Sequence, residues 1–511
     1  MTDKRPWLQR VALHPLLFAI YPILALLAFN VAELNVSAGV RALLLSMTLA
    51  VILFLVFRWI FRDSMQGALA ASTLLILFYS YGHVYNLLTG GTIGGLNLFR
   101  HRTLIPLWLI LAALMIWWVS RRSRHIATLT YFLNIVGVFL LITPIFQLTS
   151  FLVKNEISNA GGENDPRTLD LKVGDNPPDI YYIILDGYGR ADVLQRYGYD
   201  NSPFLNSLRD LGFVVADCAQ SNYAQTKLSL SSSLNFNYLD ALSDRYVSGS
   251  NDRTGLDTFI HDNAVRKSLE KAGYKTVGFA SGFPMTELTD AEYYLAPKNS
   301  WWQTNDFESL LLRTTLAGVI RDQDASEDPE MPNSDPNLSR ARTLFTLEQL
   351  PQVPYLKGPK FVFVHLVIPH PPYVFGPTGG PRAPAQPGLT RTEQSDIFYR
   401  DQAMYISSRI MEIVPKLIAN STTPPVIVIQ GDHGPTAPSA SRDRMKILNV
   451  YFLPGVDVQI EPTITPVNTF RIIFNEYFGQ KLKLLENESL YSVYRHPFDY
   501  KVISNSCKAN D

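Results

Sequence analysis

Cysteine is nearly absent: the chain has two in 511 residues, Cys218 and Cys507. That excludes a disulfide-rich scaffold and a thiolate zinc finger. A surplus of one charge is absent too. Lys plus Arg is 45 and Asp plus Glu is 45, so the formal net charge is zero. No whole-chain electrostatic case for nucleic acid exists. Charged residues make up 18%, below the roughly 25% of an ordinary soluble chain, while apolar residues reach 47%. The mean hydropathy of +0.04 averages an oily first third and a remainder that reads as soluble. At this length one domain is too few.

What is present before residue 150 is a series of five apolar stretches, at 11–30, 41–61, 67–88, 103–120 and 127–151. Each is near the roughly 20 residues a bilayer-spanning helix needs. Buried core helices are the bland alternative, but five in a row with short loops favour a transmembrane domain over 1–151. The first stretch is too polar at its end, and too closely followed by others, for a cleaved signal peptide. Lys4, Arg5, Arg10, Arg58, Arg62, Arg121, Arg122 and Arg124 fall on one side of five such spans. The smaller group Arg41, Arg100, Arg102 and Lys154 falls on the other. The richer side is cytoplasmic, which sends everything after Lys154 out of the cytoplasm and makes the chain a multi-pass protein of the plasma (inner) membrane. Tyr79, Tyr81, His83, Tyr85 and Asn86 end the third span. A loop with Gly90, Gly91, Gly94 and Gly95 follows, then Arg100, His101 and Arg102. These read as an aromatic interface belt or as a lipid head-group platform.

Residues 152–178 are polar and Pro/Gly-bearing, a linker. The remainder, 179–511, alternates apolar runs with helical patterns. Ile180–Leu185 (IYYIIL), Lys275–Phe279, Phe361–Val367 and Val426–Gln430 read as buried strands; Ser202–Leu211, Ala264–Ala272 and Tyr399–Ile418 read as helices. That alternation predicts an α/β domain with a mostly parallel central sheet, in which ligands bind at the carboxy ends of strands. Asp186 follows the first strand, His370 follows the strand that contains His365, and Gly431-Asp432-His433-Gly434 follows the last. Asp and His suit Zn²⁺ or Mn²⁺, and the two glycines permit a sharp turn between adjacent ligands. Asp432-His433 alone would read as a helix cap beside a surface imidazole; Asp186 at an equivalent strand end turns the balance toward a metal.

Thr226 lies in Asn222-Tyr-Ala-Gln-Thr226-Lys227, where a loop leads into a helix rich in small hydroxyls. A helix N-terminus offers N–H donors to an anion such as phosphate, and a metal lowers the pKa of a hydroxyl nucleophile. The plain alternative is an N-cap, and Ser229, Ser231, Ser232 and Ser233 are rival nucleophiles. The loop Val374–Thr392, with Arg382 and Arg391, reads equally as a lid or acceptor-binding loop and as a surface excursion. The acidic run Asp322–Asp335 reads as solvated surface. Cys218 and Cys507 could pair in an oxidising compartment.

The order Asp186, Thr226, Asp432-His433 resembles the alkaline phosphatase superfamily, within it the sulfatase-like membrane phosphotransferases: lipoteichoic acid synthases and lipid A phosphoethanolamine transferases. The resemblance implies five transmembrane helices, an extracytoplasmic sulfatase-like catalytic domain, and a divalent metal ion, Zn or Mn, held by Asp186, Thr226, Asp432 and His433, with Thr226 as catalytic nucleophile. His365 and His370 fall where phosphoethanolamine transferases carry a His-x-x-Gly-x-His-type segment near the substrate. They are expected to bind substrate together with Tyr373 and Lys227, or to hold a weaker second ion. Pro466–Arg471 looks like the start of the C-terminal helix common in such proteins. Asp186 stands where the branch often has Glu, and Ile368 where it has Gly. No Cys- or Ser-x-Pro-x-Arg segment for formylglycine is present, which argues against sulfate-ester cleavage. The implied function is transfer of a phospho-substituted head group from a phospholipid donor, through a Thr226-linked intermediate, to an envelope glycan or lipid acceptor, with no nucleic acid involved. A phosphodiesterase or sulfatase-like hydrolase of the same fold, and a catalytically silent membrane scaffold, are the competing readings.

Overall fold

The fold is taken from a computed structural model, which describes residues 11–31, 36–88, 100–121, 126–159, 167–253, 255–298, 304–321, 335–435 and 443–507. The loop glycines 90–95, most of the acidic run 322–335 and the basic residues at the N-terminus lie outside them. The chain forms two compact units.

The N-terminal part of the first unit holds, among the described residues, five α-helices: α1 (His14–Phe29), α2 (Val40–Phe61), α3 (Ser64–Leu88), α4 (His101–Arg121) and α5 (Ile126–Asn159). Of these, α2 with the turn before it, α3, α4 and α5 are long and apolar enough to cross a membrane. The first is shorter than expected, 16 residues, or about 24 Å against a hydrocarbon core of about 30 Å. It starts late because its first N–H groups are capped from another helix: Asn134 Oδ1 on α5 accepts from the backbone of Leu13 and His14 at 2.9 and 2.8 Å. The last helix runs past residue 151 into the expected linker. The aromatic group at the end of α3 packs on itself. Tyr81 OH lies 2.8 Å from His101 Nδ1, and the Tyr85 and His101 rings stack with centroids 3.8 Å apart.

Residues 304–321, within the stretch whose composition reads as one α/β domain, belong to the helical unit. The helix Asp306–Thr314 opens with a capping box made by Asn305 and Glu308. Its Phe307 and Leu311 join the apolar core of the bundle beside Ile23, Leu27 and Leu75, and Glu308 forms an ion pair with Arg41 of α2.

The second unit is built on a seven-stranded sheet: β1 (Ile180–Leu185), β2 (Val214–Val215), β3 (Lys275–Phe279), β4 (Tyr293–Leu295), β5 (Lys360–Leu366), β6 (Val426–Gln430) and β7 (Asn449–Phe452), in the order β2-β7-β6-β1-β5-β3-β4. The four pairings on the β1 side of β6 are parallel, and β7 runs antiparallel to both its neighbours. The sheet is therefore mixed. Side chains alternate between two cores. Tyr181, Ile183 and Leu185 face one with the helix Arg391–Asn420; Ile180, Tyr182 and Ile184 face the other with the helix Thr469–Phe478. With both faces covered, the central strands are continuous apolar runs. Cys218 and Cys507 are disulfide-bonded, Cα atoms 5.5 Å apart, which ties the C-terminal segment to the stretch that precedes Thr226.

Candidate metal centre

The carboxy ends of β1, β5 and β6 meet at one point because these three strands are adjacent and parallel. Asp186 leaves β1 and is stitched to the chain after β5 on both sides: its N–H donates to Leu366 O at 2.9 Å, and His370 N–H donates to its carbonyl at 3.0 Å. His365 lies within β5, level with Ile184 of β1. Asp432 and His433 follow β6. The glycines flanking them matter for close approach, not for backbone handedness. A Cβ on Gly431 would stand 2.5 Å from Tyr188 O, and one on Gly434 would stand 2.1 Å from Asp443 O.

These side chains converge. Asp186, His370 and His433 each bring one ligand atom within 4.8 Å of the others, as do Asp186, His365 and Asp432. Asp186 Oδ2 is 3.4 Å from His365 Nε2, and Asp186 Oδ1 is 3.4 Å from His433 Nε2. Asp432 Oδ2 is 3.5 Å from His433 Nε2. All five are buried. Asp186 Oδ1, Asp432 Oδ2 and His365 Nε2 make no hydrogen bond, although an orphaned buried polar atom costs about 1–3 kcal/mol. Burial pushes the Asp186 carboxyl up, but His370, His365 and His433 around it outweigh that and hold it below the usual carboxylate range. Burial, reinforced by the Asp186 charge, pushes Asp432 up. Two facing carboxylates with imidazole nitrogens between them form a donor set that a divalent cation satisfies. The residues present fit such an ion.

Thr226 opens the helix Thr226–Ser233, with Gln225 rather than Thr226 as its N-cap. Its Oγ1 is 3.1 Å from His433 Nε2. The rival serines are engaged elsewhere. Ser229 Oγ donates to Asp432 O at 2.7 Å, Ser231 to Leu256 O at 3.1 Å, Ser232 to Asn237 O at 2.7 Å and Ser233 to Leu230 O at 3.4 Å. Gln225 provides no side-chain cap, so the first turn presents N–H groups to an anion at Thr226.

The structure thus brings together Asp186, Thr226, His365, His370, Asp432 and His433. It turns Lys227 aside: the ammonium is largely buried and lies 3.4 Å from Asp257. The hydroxyl of Tyr373 accepts from Ser395 at 3.3 Å and its ring packs on Phe398. The loop after it is held down, since Arg340 donates to the carbonyls of Val374, Gly379 and Gly380 and covers the Phe375 ring. Two supporting residues escaped sequence reasoning. Tyr399 OH donates to Gly187 O at 2.9 Å and accepts from Gly189 N at 3.0 Å, clamping the turn after Asp186. Thr286 Oγ1 lies 2.8 Å from His365 Nδ1. Neither carries a local motif; only the fold places them here.

No family model matches this chain, and no curated protein matches it. Among solved structures it is similar to the C-terminal periplasmic domain of EcEptC from Escherichia coli in complex with Zn, at 13% identity and a TM-score of 0.41 over 64% of this chain and 94% of that one. It is similar to the soluble domain of lipooligosaccharide phosphoethanolamine transferase A from Neisseria meningitidis at 12% identity and a TM-score of 0.37, over 60% and 89%. BT1596, a 2-O GAG sulfatase, gives 13% identity and a TM-score of 0.40 over 62% and 77%. The chemistry of this chain rests on its own side chains.

Proposed function

We propose that this chain is a membrane phosphotransferase that takes a phospho-substituted head group from a phospholipid, holds it on Thr226, and passes it to an envelope glycan or lipid. The observation that carries this reading is the Thr226 hydroxyl, first residue of a buried helix, set against His433 and the carboxylates of Asp186 and Asp432. Asp186, Asp432, His433 and Thr226 Oγ1 would hold a divalent ion, Zn or Mn, with His365 and His370 at its side; when bound, that ion lowers the pKa of the hydroxyl and neutralises charge on the phosphoryl oxygens. Thr226 Oγ1 then bonds to phosphorus as it loses its proton, and the diacylglycerol oxygen leaves and gains one. In the second half an acceptor hydroxyl attacks the same phosphorus, and Thr226 leaves and is reprotonated. N–H groups of the first helical turn share the charge on the non-bridging oxygens.

Four apolar helices support a lipid donor, since a hydrolase of soluble esters needs a single anchor at most. The distribution of Arg and Lys and the Cys218–Cys507 disulfide, which belongs to an oxidising compartment, support a catalytic unit outside the cytoplasm. The test is incubation of the full chain with labelled phospholipid, followed by intact-mass analysis and turnover. The parent should gain the mass of the phospho-head group and release diacylglycerol. Thr226→Ala should lose the adduct and at least about a thousand-fold in turnover, as nucleophile removal does. Thr226→Ser should keep part of both, because the hydroxyl stays while its rotamer loosens. Near-normal turnover in Thr226→Ala would overturn the assignment; free phosphorylated head group in place of a modified acceptor would assign hydrolysis.

A further inference from the structure

The three histidines of the centre each bond through Nδ1 to an oxygen. For His433 the partner is Gly434 O at 2.8 Å, and for His370 it is Pro371 O at 2.6 Å. A carbonyl only accepts, so both rings carry a proton on Nδ1 and, when neutral, present Nε2 as a lone pair. His365 is different: its Nδ1 faces a hydroxyl, Thr286 Oγ1, at 2.8 Å. That hydroxyl is itself committed. Thr286 Oγ1 donates to Phe283 O at 3.0 Å and lies 3.0 Å from Ser281 Oγ, which accepts in turn from Phe283 N at 2.9 Å. In the arrangement where Thr286 gives its hydrogen to Phe283 O, it accepts from His365 Nδ1–H. In the neutral ring the Nε2 of His365 is then a lone pair; it is buried, makes no hydrogen bond, and lies 3.4 Å from the carboxylate oxygen Asp186 Oδ2. A lone pair facing a carboxylate is repulsive unless a cation lies between them.

We propose that Thr286 is a positioning residue of the metal centre: it fixes His365 as the Nδ1–H tautomer and so makes Nε2 a metal ligand. The inference rests on the metal reading of the site and adds that His365 serves the ion rather than the substrate. It also identifies Thr286 as the alterable one of the three tautomer-setting partners, since the other two are main-chain carbonyls. Phe283 packs edge-on against the His365 ring, centroids 5.8 Å apart, and holds its plane. Hydroxyl and ring together leave the imidazole one orientation. Partners of this kind set ligand basicity and typically change metal affinity 10–100-fold when removed.

The experiment is equilibrium Zn²⁺ binding to the full chain in detergent, by competition with a chromogenic chelator. Co²⁺ loading follows the coordination number through its visible absorption. Thr286→Val keeps the shape and removes the hydroxyl; it should bind about 10–100-fold more weakly with altered Co²⁺ absorption. Thr286→Ser should stay within about three-fold of the parent. In a His365→Ala background, Thr286→Val should add almost nothing, because the two act through one contact. Melting of the metal-free variants separates a folding defect from a binding defect, and Thr286→Ala replaces Thr286→Val if the latter does not fold. Parent-like affinity in both hydroxyl-less variants, or an undiminished effect of Thr286→Val without His365, overturns the inference and leaves the metal centre standing. A parent chain that binds no divalent ion overturns both.

Discussion

Replacing Asp432 by Asn should stabilise the metal-free protein and abolish its stabilisation by metal. In the structure Asp432 Oδ1 accepts from Gly187 N–H at 3.2 Å, and Oδ2 makes no hydrogen bond. Asn keeps the first contact and places an amide N–H₂ where the orphaned oxygen stood, 3.5 Å from His433 Nε2. It also removes a charge whose oxygen lies within 4.8 Å of an Asp186 oxygen. At an effective dielectric of about 20, two unit charges at that separation repel by roughly 3 kcal/mol. The gain in the metal-free state should be about 1–3 kcal/mol, or a few degrees in Tm. With Zn²⁺ at a hundred times its Kd, the parent should gain about 2.7 kcal/mol and the variant little of it. The order of stability therefore inverts on adding metal. Differential scanning calorimetry of the full chain at pH 8 checks this with chelator and with Zn²⁺. A variant less stable than the parent under chelator, with an undiminished rise on adding Zn²⁺, would refute both the repulsion and the ligand assignment.

Two further outcomes are expected. Asp192 bonds Arg190 at 2.7 Å and Lys446 at 2.9 Å; burial raises its pKa, but these two cations outweigh that and depress it. A depressed carboxylate stabilises above its unfolded pKa of about 3.9 and loses that contribution as pH falls toward its folded value. Because the side chain is half exposed, Asp192→Asn should cost at most about 1 kcal/mol at pH 7 and progressively less below pH 4, read from denaturant midpoints; a constant difference across that range would refute it. A reporter fused after Cys507 should be active only in the form that works outside the cytoplasm, and cytoplasmic activity would refute the proposed orientation.

The strands were legible because a buried parallel strand has to be apolar on both faces. Ile180–Leu185, Lys275–Phe279 and Val426–Gln430 form over the residues read from the sequence. The short strands β2, β4 and β7 were not, since two to four residues carry no period. Asp186, Thr226 and Asp432-His433 could be singled out because strand ends and a helix start are marked locally by Gly, Asp and a change of pattern. The first helix came out shorter than its apolar run, because Asn134 at a separation of about 120 residues caps it. The segment 304–321 reads as part of the soluble domain by composition, yet packs Phe307 and Leu311 into the bundle. Composition and period thus determined that this chain has an oily helical part and an α/β part, and which strand ends carry the candidate ligands. Only the tertiary structure decided that His365 and His370 share one cluster with Asp186, that Lys227 turns to Asp257, and that Thr286 lies against His365 Nδ1. Those outcomes depend on distances between residues far apart in sequence, and a local pattern holds no record of such distances.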